Sequence, residues 1–324
     1  MKKLTLIGIF ILLLSSLVLR SVSGAADFPN KPLQVIVPYG PGGTHDIAAR
    51  IVDGLLQEVL EVPVIHVNKT GGGGLVGGAY ALEQPPDGYT ILYGGLTVLI
   101  EVPIVKPNCP YTWEDFIPLA RVTSGPLVLS VKKDARWNTL EDFIAEAKDN
   151  PGKLTMGIPG IGTSQHLVAA LFAKEGGLDI NIIPFKGDGA SLTALLGGHV
   201  DSSMTGLTSL TPHLNAGNVR ALASSSPERH PVQKDIATFK EKGFSKIGIL
   251  SWTGAWVRKG TPENRVKILE EAYKTAATHK SVVTLIKKAG STPDYVGTQE
   301  LLKIVPQEHD AILSAARSAD ISQK

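Results

Sequence analysis

Cysteine is almost absent: Cys109 is the only one in 324 residues. A single thiol excludes an internal disulfide framework and a cysteine-built zinc site. Aromatic residues make up 6% and charged residues 19%, and neither sign dominates, with 32 Lys and Arg against 30 Asp and Glu. No basic run occurs, so nothing points to nucleic acid. Catalytic signatures are missing as well. There is no G-x-S-x-G elbow and no H-E-x-x-H. The eight histidines, at 45, 66, 166, 199, 213, 230, 279 and 309, are scattered without a metal-binding spacing. Ser164 and His166 stand two apart at the start of one helical pattern and do not face each other. No metal, cofactor or catalysis is therefore expected. What is present is 43% hydrophobic residues with 34 Gly and 21 Pro, an ordinary globular composition with length for about two domains.

The amino terminus stands apart. Met1-Lys2-Lys3 is a short positive start, Leu4 to Leu19 is apolar, and Ser21-Val22-Ser23-Gly24-Ala25-Ala26 is rich in small residues. This order reads as a cleavable secretory signal peptide over residues 1–25. The run is shorter than the ~20 residues of a spanning helix. Its removal takes away Lys2, Lys3 and Arg20 and no acid, leaving a near-neutral exported chain. No later stretch approaches spanning length without a charge or a Gly or Pro break.

Short apolar runs then alternate with helical patterns. Strands are expected at Leu33–Val37, Val64–Val67, Tyr89–Tyr93 and Leu127–Val131. Helices are expected at Ile47–Leu60, Leu75–Glu83, Leu140–Lys148 (capped by Thr139), Pro262–His279 and Thr298–Ala316. Such alternation means α/β units and largely parallel sheets.

One pattern occurs twice. Val35-Ile36-Val37-Pro38-Tyr39-Gly40-Pro41-Gly42-Gly43-Thr44 runs strand, proline, glycine turn, Gly-Thr, helix. Thr155-Met156-Gly157-Ile158-Pro159-Gly160-Ile161-Gly162-Thr163 repeats it. Free N–H groups and the dipole at a helix start favour an anion. Two such starts could hold one anion from both sides. Asp46 reads equally as a cap of its turn or a ligand contact. His45 is an exposed turn residue or a ligand-facing one, and His166 faces the cleft, caps, or packs inside. Arg50 reads as an ion-pair partner, and Lys186 and Asp188 as a solvated turn. Gly72-Gly73-Gly74-Leu75-Val76-Gly77 satisfies G-x-G-x-x-G, but the next strand ends in Gly94-Gly95-Leu96 without the acid a dinucleotide site requires. Cys109 reads as a chance thiol in a proline-flanked loop. Trp252 and Trp256 share a strand face and read as core.

The opening Phe28-Pro29-Asn30-Lys31-Pro32, with Pro38-Tyr39-Gly40-Pro41-Gly42-Gly43-Thr44-His45-Asp46, resembles that of the Bug receptors, the solute-binding proteins of tripartite tricarboxylate transporters. The likeness continues in order through Asn68-Lys69-Thr70-Gly71, Pro86-Asp87-Gly88-Tyr89, Trp113-Glu114-Asp115-Phe116, Gly162-Thr163-Ser164-Gln165-His166, Pro184-Phe185-Lys186-Gly187 and Gly197-Gly198-His199-Val200-Asp201. It implies an α/β fold of the type II periplasmic-binding-protein kind, two lobes with a ligand cleft between them. The chain would cross near Gly125-Pro126-Leu127-Val128 and Leu250-Ser251-Trp252-Thr253. Lobe one would be residues 28–125 and 252–324, and lobe two residues 126–251. The resemblance implies a periplasmic monomer that captures a small organic carboxylate for the membrane permease subunits, or a sensing module acting on a sensor kinase. The ligand would meet Tyr39, Gly42, Gly43, Thr44, His45 and Asp46 from one lobe, and Gly162, Thr163, Ser164, His166 and Thr205 from the other. His45 stands where the family often has Ser or Thr, and Thr205 where it commonly has an acid. A neutral Thr205 at a strand end favours a carboxylate without an amino group.

Overall fold

The structure, a computed structural model, describes residues 28–231 and 233–322. The leader expected over residues 1–25 lies outside the described residues. The first α/β units are β1 (Leu33–Val37), α1 (Thr44–Leu60), β2 (Val64–Asn68), α2 (Leu75–Glu83) and β3 (Thr90–Gly94). A π-helical segment, Thr97–Glu101, runs directly into the one-turn α3 (Val102–Val105). Next come β4 (Phe116–Lys132), α4 (Leu140–Asp149), β5 (Thr155–Ile158), α5 (Ser164–Gly176), β6 (Asn181–Pro184), α6 (Asp188–Leu196), β7 (Ser202–Gly206), α7 (Leu207–Asn215) and β8 (Val219–Ser224). The chain ends with β9 (Leu250–Arg258), α8 (Glu263–Thr278), α9 (Lys280–Lys288), β10 (Thr292–Gly297) and α10 (Thr298–Ser318).

Local chemistry sets several of these bounds. At α4 the Thr139 hydroxyl accepts from the Asp142 N–H, and the Asp142 carboxylate accepts from the Thr139 N–H in return, a reciprocal capping box. In α1 the buried Ala48, Ala49, Val52 and Leu56 form one stripe while Arg50 is exposed, the spacing of a helix lying on a sheet.

The sheet order is β2-β1-β3-β9-β4-β7-β5-β6, with β8 and β10 also paired to β4. Pairing is parallel where the α/β units alternate, β1 with β2 and β3, and β5 with β6 and β7. The expectation of largely parallel sheets fails at the centre. There β4 runs antiparallel to β7, β8, β9 and β10. β4 has 17 residues, about 55 Å at the usual rise, enough to serve both halves of the molecule. Up to Pro126, which faces Leu250, it pairs with β9; from Leu127, which faces Gly206, it pairs with β7. Proline can donate no ladder bond, and it stands where the partners change.

Alternate residues of β1 enter different cores. Val35 and Val37 pack with α1 and with Leu269 and Tyr273 of α8. Ile36 joins a cluster that runs through Leu92 and Trp256 to Leu129, Met156 and Phe172 in the second half. Trp252 and Trp256 stack with centroids 6.0 Å apart and are buried, as their shared strand face suggests. α10 also spans the halves. Its Thr298 hydroxyl donates to the Pro118 carbonyl (2.8 Å), while Ile312 and Ala316 share the cluster of Phe172, and Lys174 pairs with Asp320 just past the helix end.

Candidate functional site

The repeated strand–turn–helix pattern builds two matching corners. After β1, Gly42 adopts φ +75°, and its N–H donates to Asp46 Oδ2 (3.0 Å). After β5, Gly162 adopts φ +86°, and its N–H donates to His166 Nδ1 (3.4 Å). Both glycines sit in the left-handed region that side chains disfavour. The structural register therefore pairs Gly42 with Gly162, Gly43 with Thr163, Thr44 with Ser164, His45 with Gln165, and Asp46 with His166. Aligning the two Gly-Thr pairs, as the sequence invites, is one residue out. The signal that sets the true register is the acceptor side chain four residues after each left-handed glycine.

These side chains are spent inside the corners. Asp46 also accepts from Asn68 Nδ2 (3.0 Å) and Arg50 Nε (3.0 Å). Burial opposes its charge, yet the bonds from Arg50, Asn68 and Gly42 outweigh this and hold its carboxyl below the usual range. Arg50 is thus the ion-pair partner its position suggested. Thr163 caps α5, accepting from the His166 N–H (3.2 Å) and donating to the Gly160 carbonyl (2.8 Å). Burial, with Lys106 nearby, pushes the His166 imidazole down to about 4.

The corners face each other across the sheet's change of partners, where the halves touch. Thr44 donates to Asp188 Oδ2 through its N–H (3.4 Å) and its hydroxyl (2.9 Å). Ser209 Oγ donates to the same oxygen (2.9 Å), and Gln165 Nε2 to Oδ1 (3.2 Å). The sequence reading of Asp188 as a solvated turn residue is wrong. It is 4% exposed, enclosed by Thr44 from the first half and by Gln165 and Ser209 from its own. Lys186 does remain exposed, while its carbonyl accepts from Gly40 N–H across the seam (3.3 Å). A second crossing bond runs from Ser164 Oγ to Glu101 Oε2 (2.7 Å), beside the Thr97 hydroxyl (3.0 Å). The glycine-rich turn at Gly72–Gly74 makes a third contact. Tyr39 donates to the Gly73 carbonyl (3.1 Å), and a side chain at Gly73 would strike the Ile161 carbonyl. Its glycines serve close approach between the halves.

Two narrow cavities lie in this seam. The first, with about 10 Å³ of water-accessible space, is bounded by α1, β4, β9 and the start of α7, with Trp252, Thr123, Ser124, Thr253 and Ser291 among its walls. The second, also with about 10 Å³ of water-accessible space, lies between Tyr39, Gly43, Thr97, Pro159 and Asp188. Thr44, His45 and Gln165 line both. Neither wall contains a Lys or Arg. His45 is 7% exposed, its Nε2 is buried without a hydrogen-bond partner, and burial lowers its imidazole to about 4. The Thr253 hydroxyl is likewise unpartnered.

Of the residues nominated from sequence, Tyr39, Gly43, Thr44 and His45 reach the cavities. Gly42, Asp46, Gly162, Thr163, Ser164 and His166 shape the corners behind them. Thr205 is off the wall. β7 presents Gly206 there, and alternation turns Thr205 to the side of Ser203, which bonds Ser191 of α6 (2.6 Å). Gln165, Asp188 and the hydroxyls of β4 and β9 escaped the sequence reading. Gln165 was within reach of it, one residue beyond Ser164 in the repeated pattern. Among the described residues, no group of three metal-ligating side chains converges and no helix is long and apolar enough to cross a membrane.

Residues 47–315 match the family described as the tripartite tricarboxylate transporter family receptor. The protein BugT of Bordetella pertussis is 32% identical over 292 residues, 90% of this chain and 89% of that one. The structure of MatC from Rhodopseudomonas palustris with bound malate is similar at TM-score 0.85 and 27% identity, over 89% of this chain and 99% of the other. That of R. palustris Rpa4515 with adipate is similar at TM-score 0.88 and 27% identity, over 91% and 99%. The chain belongs to the tripartite tricarboxylate transporter receptor family, as a two-lobed solute-binding receptor of the periplasmic-binding-protein type and not an enzyme.

Proposed function

We propose that this receptor captures a small organic carboxylate in the periplasm and delivers it to the membrane permease subunits of a tripartite carrier. Residues 1–25 direct export and are removed. Residues 28–125 with 252–324 form one lobe and residues 126–251 the other. The observation that carries this reading is the closed seam itself. Two matching helix starts face one another, and the cavities between them are walled by hydroxyls, amides and Trp252. Such a site holds an oxyanion with neutral donors in a water-poor space. Structures of the related proteins with malate and adipate support the ligand class.

Calorimetry and thermal shift against malate, adipate and aromatic carboxylates test this. One equivalent of a carboxylate should bind and raise the melting temperature, with the ligand recovered unchanged. Binding confined to neutral sugars or cations, or steady conversion of the ligand, overturns the reading.

A further inference from the structure

We propose that His45 is the counter-ion of the site: its imidazole takes up a proton as a carboxylate is captured, and this makes the receptor select plain anions. The inference rests on the carboxylate reading above and deepens it. His45 is the only side chain on either cavity wall that can become positive. It lines both cavities, and its Nε2 has no partner.

The neighbours of His45 define the charge balance. α6 brings Asp188, whose oxygens already take bonds from Thr44, Ser209 and Gln165. The turn after β1 brings Tyr39, with ring centroids 4.7 Å apart. The π segment contributes Thr97 to the wall, with Glu101 behind it on Ser164. On its own helix, Asp46 is paired with Arg50. β4, β9 and α7 contribute neutral walls. A carboxylate entering this space would be a second buried negative charge beside Asp188 with no cation to meet it. Burying an unpaired charge is strongly unfavourable. A proton on His45 removes that cost.

The direction of titration follows. Burial keeps the unliganded imidazole neutral, and an opposite charge within hydrogen-bond reach favours the protonated form. Nε2–H then donates to the carboxylate, and the Tyr39 ring faces the cation. A neutral ligand gains nothing from this. An amino acid brings its ammonium toward the imidazolium and is disfavoured.

The test uses malate and adipate with the intact receptor at pH 7. Calorimetry in phosphate and in Tris, which differ in ionisation enthalpy, reads the protons taken up. About one per ligand is expected, with affinity falling roughly tenfold per pH unit between the unliganded imidazole's value of about 4 and its value in the complex, and levelling off above that. His45→Gln should abolish the uptake, and Glu101→Gln should leave it in place. The ¹⁵N shifts of the wild-type His45 ring in the saturated complex give a second reading that needs no variant. A doubly protonated ring supports the proposal. Binding without proton uptake, uptake that survives His45→Gln, or a neutral ring in the complex overturns it while leaving the carboxylate reading intact. If no carboxylate binds, both fall.

Discussion

Asp188 carries its charge into the seam between the lobes and meets only neutral donors there. Burial pushes its carboxyl up, opposed by bonds from Thr44, Ser209 and the Gly206 N–H. Hydrogen bonds to a charged group contribute about 1.5–3 kcal/mol each. Those from Thr44 exist only while the lobes touch. Replacing Asp188 with Ala should therefore weaken carboxylate binding about ten- to a hundredfold and also lower the melting temperature of the ligand-free protein, because the Ser209 and Gln165 bonds lie within its own half. Calorimetry paired with a thermal melt checks this, and undiminished affinity would show that the clasp is absent from the complex. The sequence hid this residue for a physical reason. A Gly-Asp pair at a strand-to-helix turn looks solvated from its local sequence, and here Thr44 from the other half and Gln165 and Ser209 from its own, all distant in sequence, enclose it. Thr205 failed in the reverse sense. The strand end was placed correctly, but side-chain alternation within β7 turned the wall over to Gly206.

The π segment matters because of where it sets one side chain. Thr97–Glu101 turns five residues without a break into α3, and Glu101 reaches Ser164 at the start of α5. Burial raises the Glu101 carboxyl from 4.5 to about 7, against the bonds from Ser164 and Thr97. A raised acid takes up a proton on folding. Its penalty is absent below about pH 4.5, grows up to about pH 7 and is constant above, reaching on the order of 3 kcal/mol. Glu101→Gln accepts the same Ser164 bond without titrating. The melting temperature of this variant should exceed that of wild type by a margin that widens from pH 4.5 to 7 and then levels off. A margin flat in pH would show that Glu101 stays ionised in the fold. Elements of this kind were the illegible part of the chain. α1, α2, α4 and α10 were readable from periodicity and the Thr139 cap. The full length of β4 was not, because its outer half depends on pairing with β9 and β10, distant in sequence. The doubled glycine corner was visible, but its register needed the backbone angles of Gly42 and Gly162.

At the scale of the molecule, function depends on how the two lobes meet. Three elements span them: β4, β9 and α10, the last holding Phe172 and Lys174 of the second half. If these connections act as hinges, a ligand that prefers the closed form shifts the population toward it. Closure requires backbone to meet backbone, and glycine permits this at Gly40. A Cβ there would lie 2.9 Å from the Lys186 carbonyl oxygen, and Gly40 lies outside the left-handed region. Gly40→Val thus introduces a wedge between the lobes without straining φ. The atom it strikes is a backbone oxygen, which cannot rotate aside as a side chain would, so relief comes from the lobes moving apart. The same movement lengthens the Gly40–Lys186 bond and the Thr44 bonds to Asp188. The variant should keep the wild-type melting temperature without ligand, bind malate or adipate at least tenfold more weakly, and compact less than wild type at saturation by small-angle scattering. Compaction equal to wild type with undiminished affinity would mean that the ligand is held in a more open arrangement than this one.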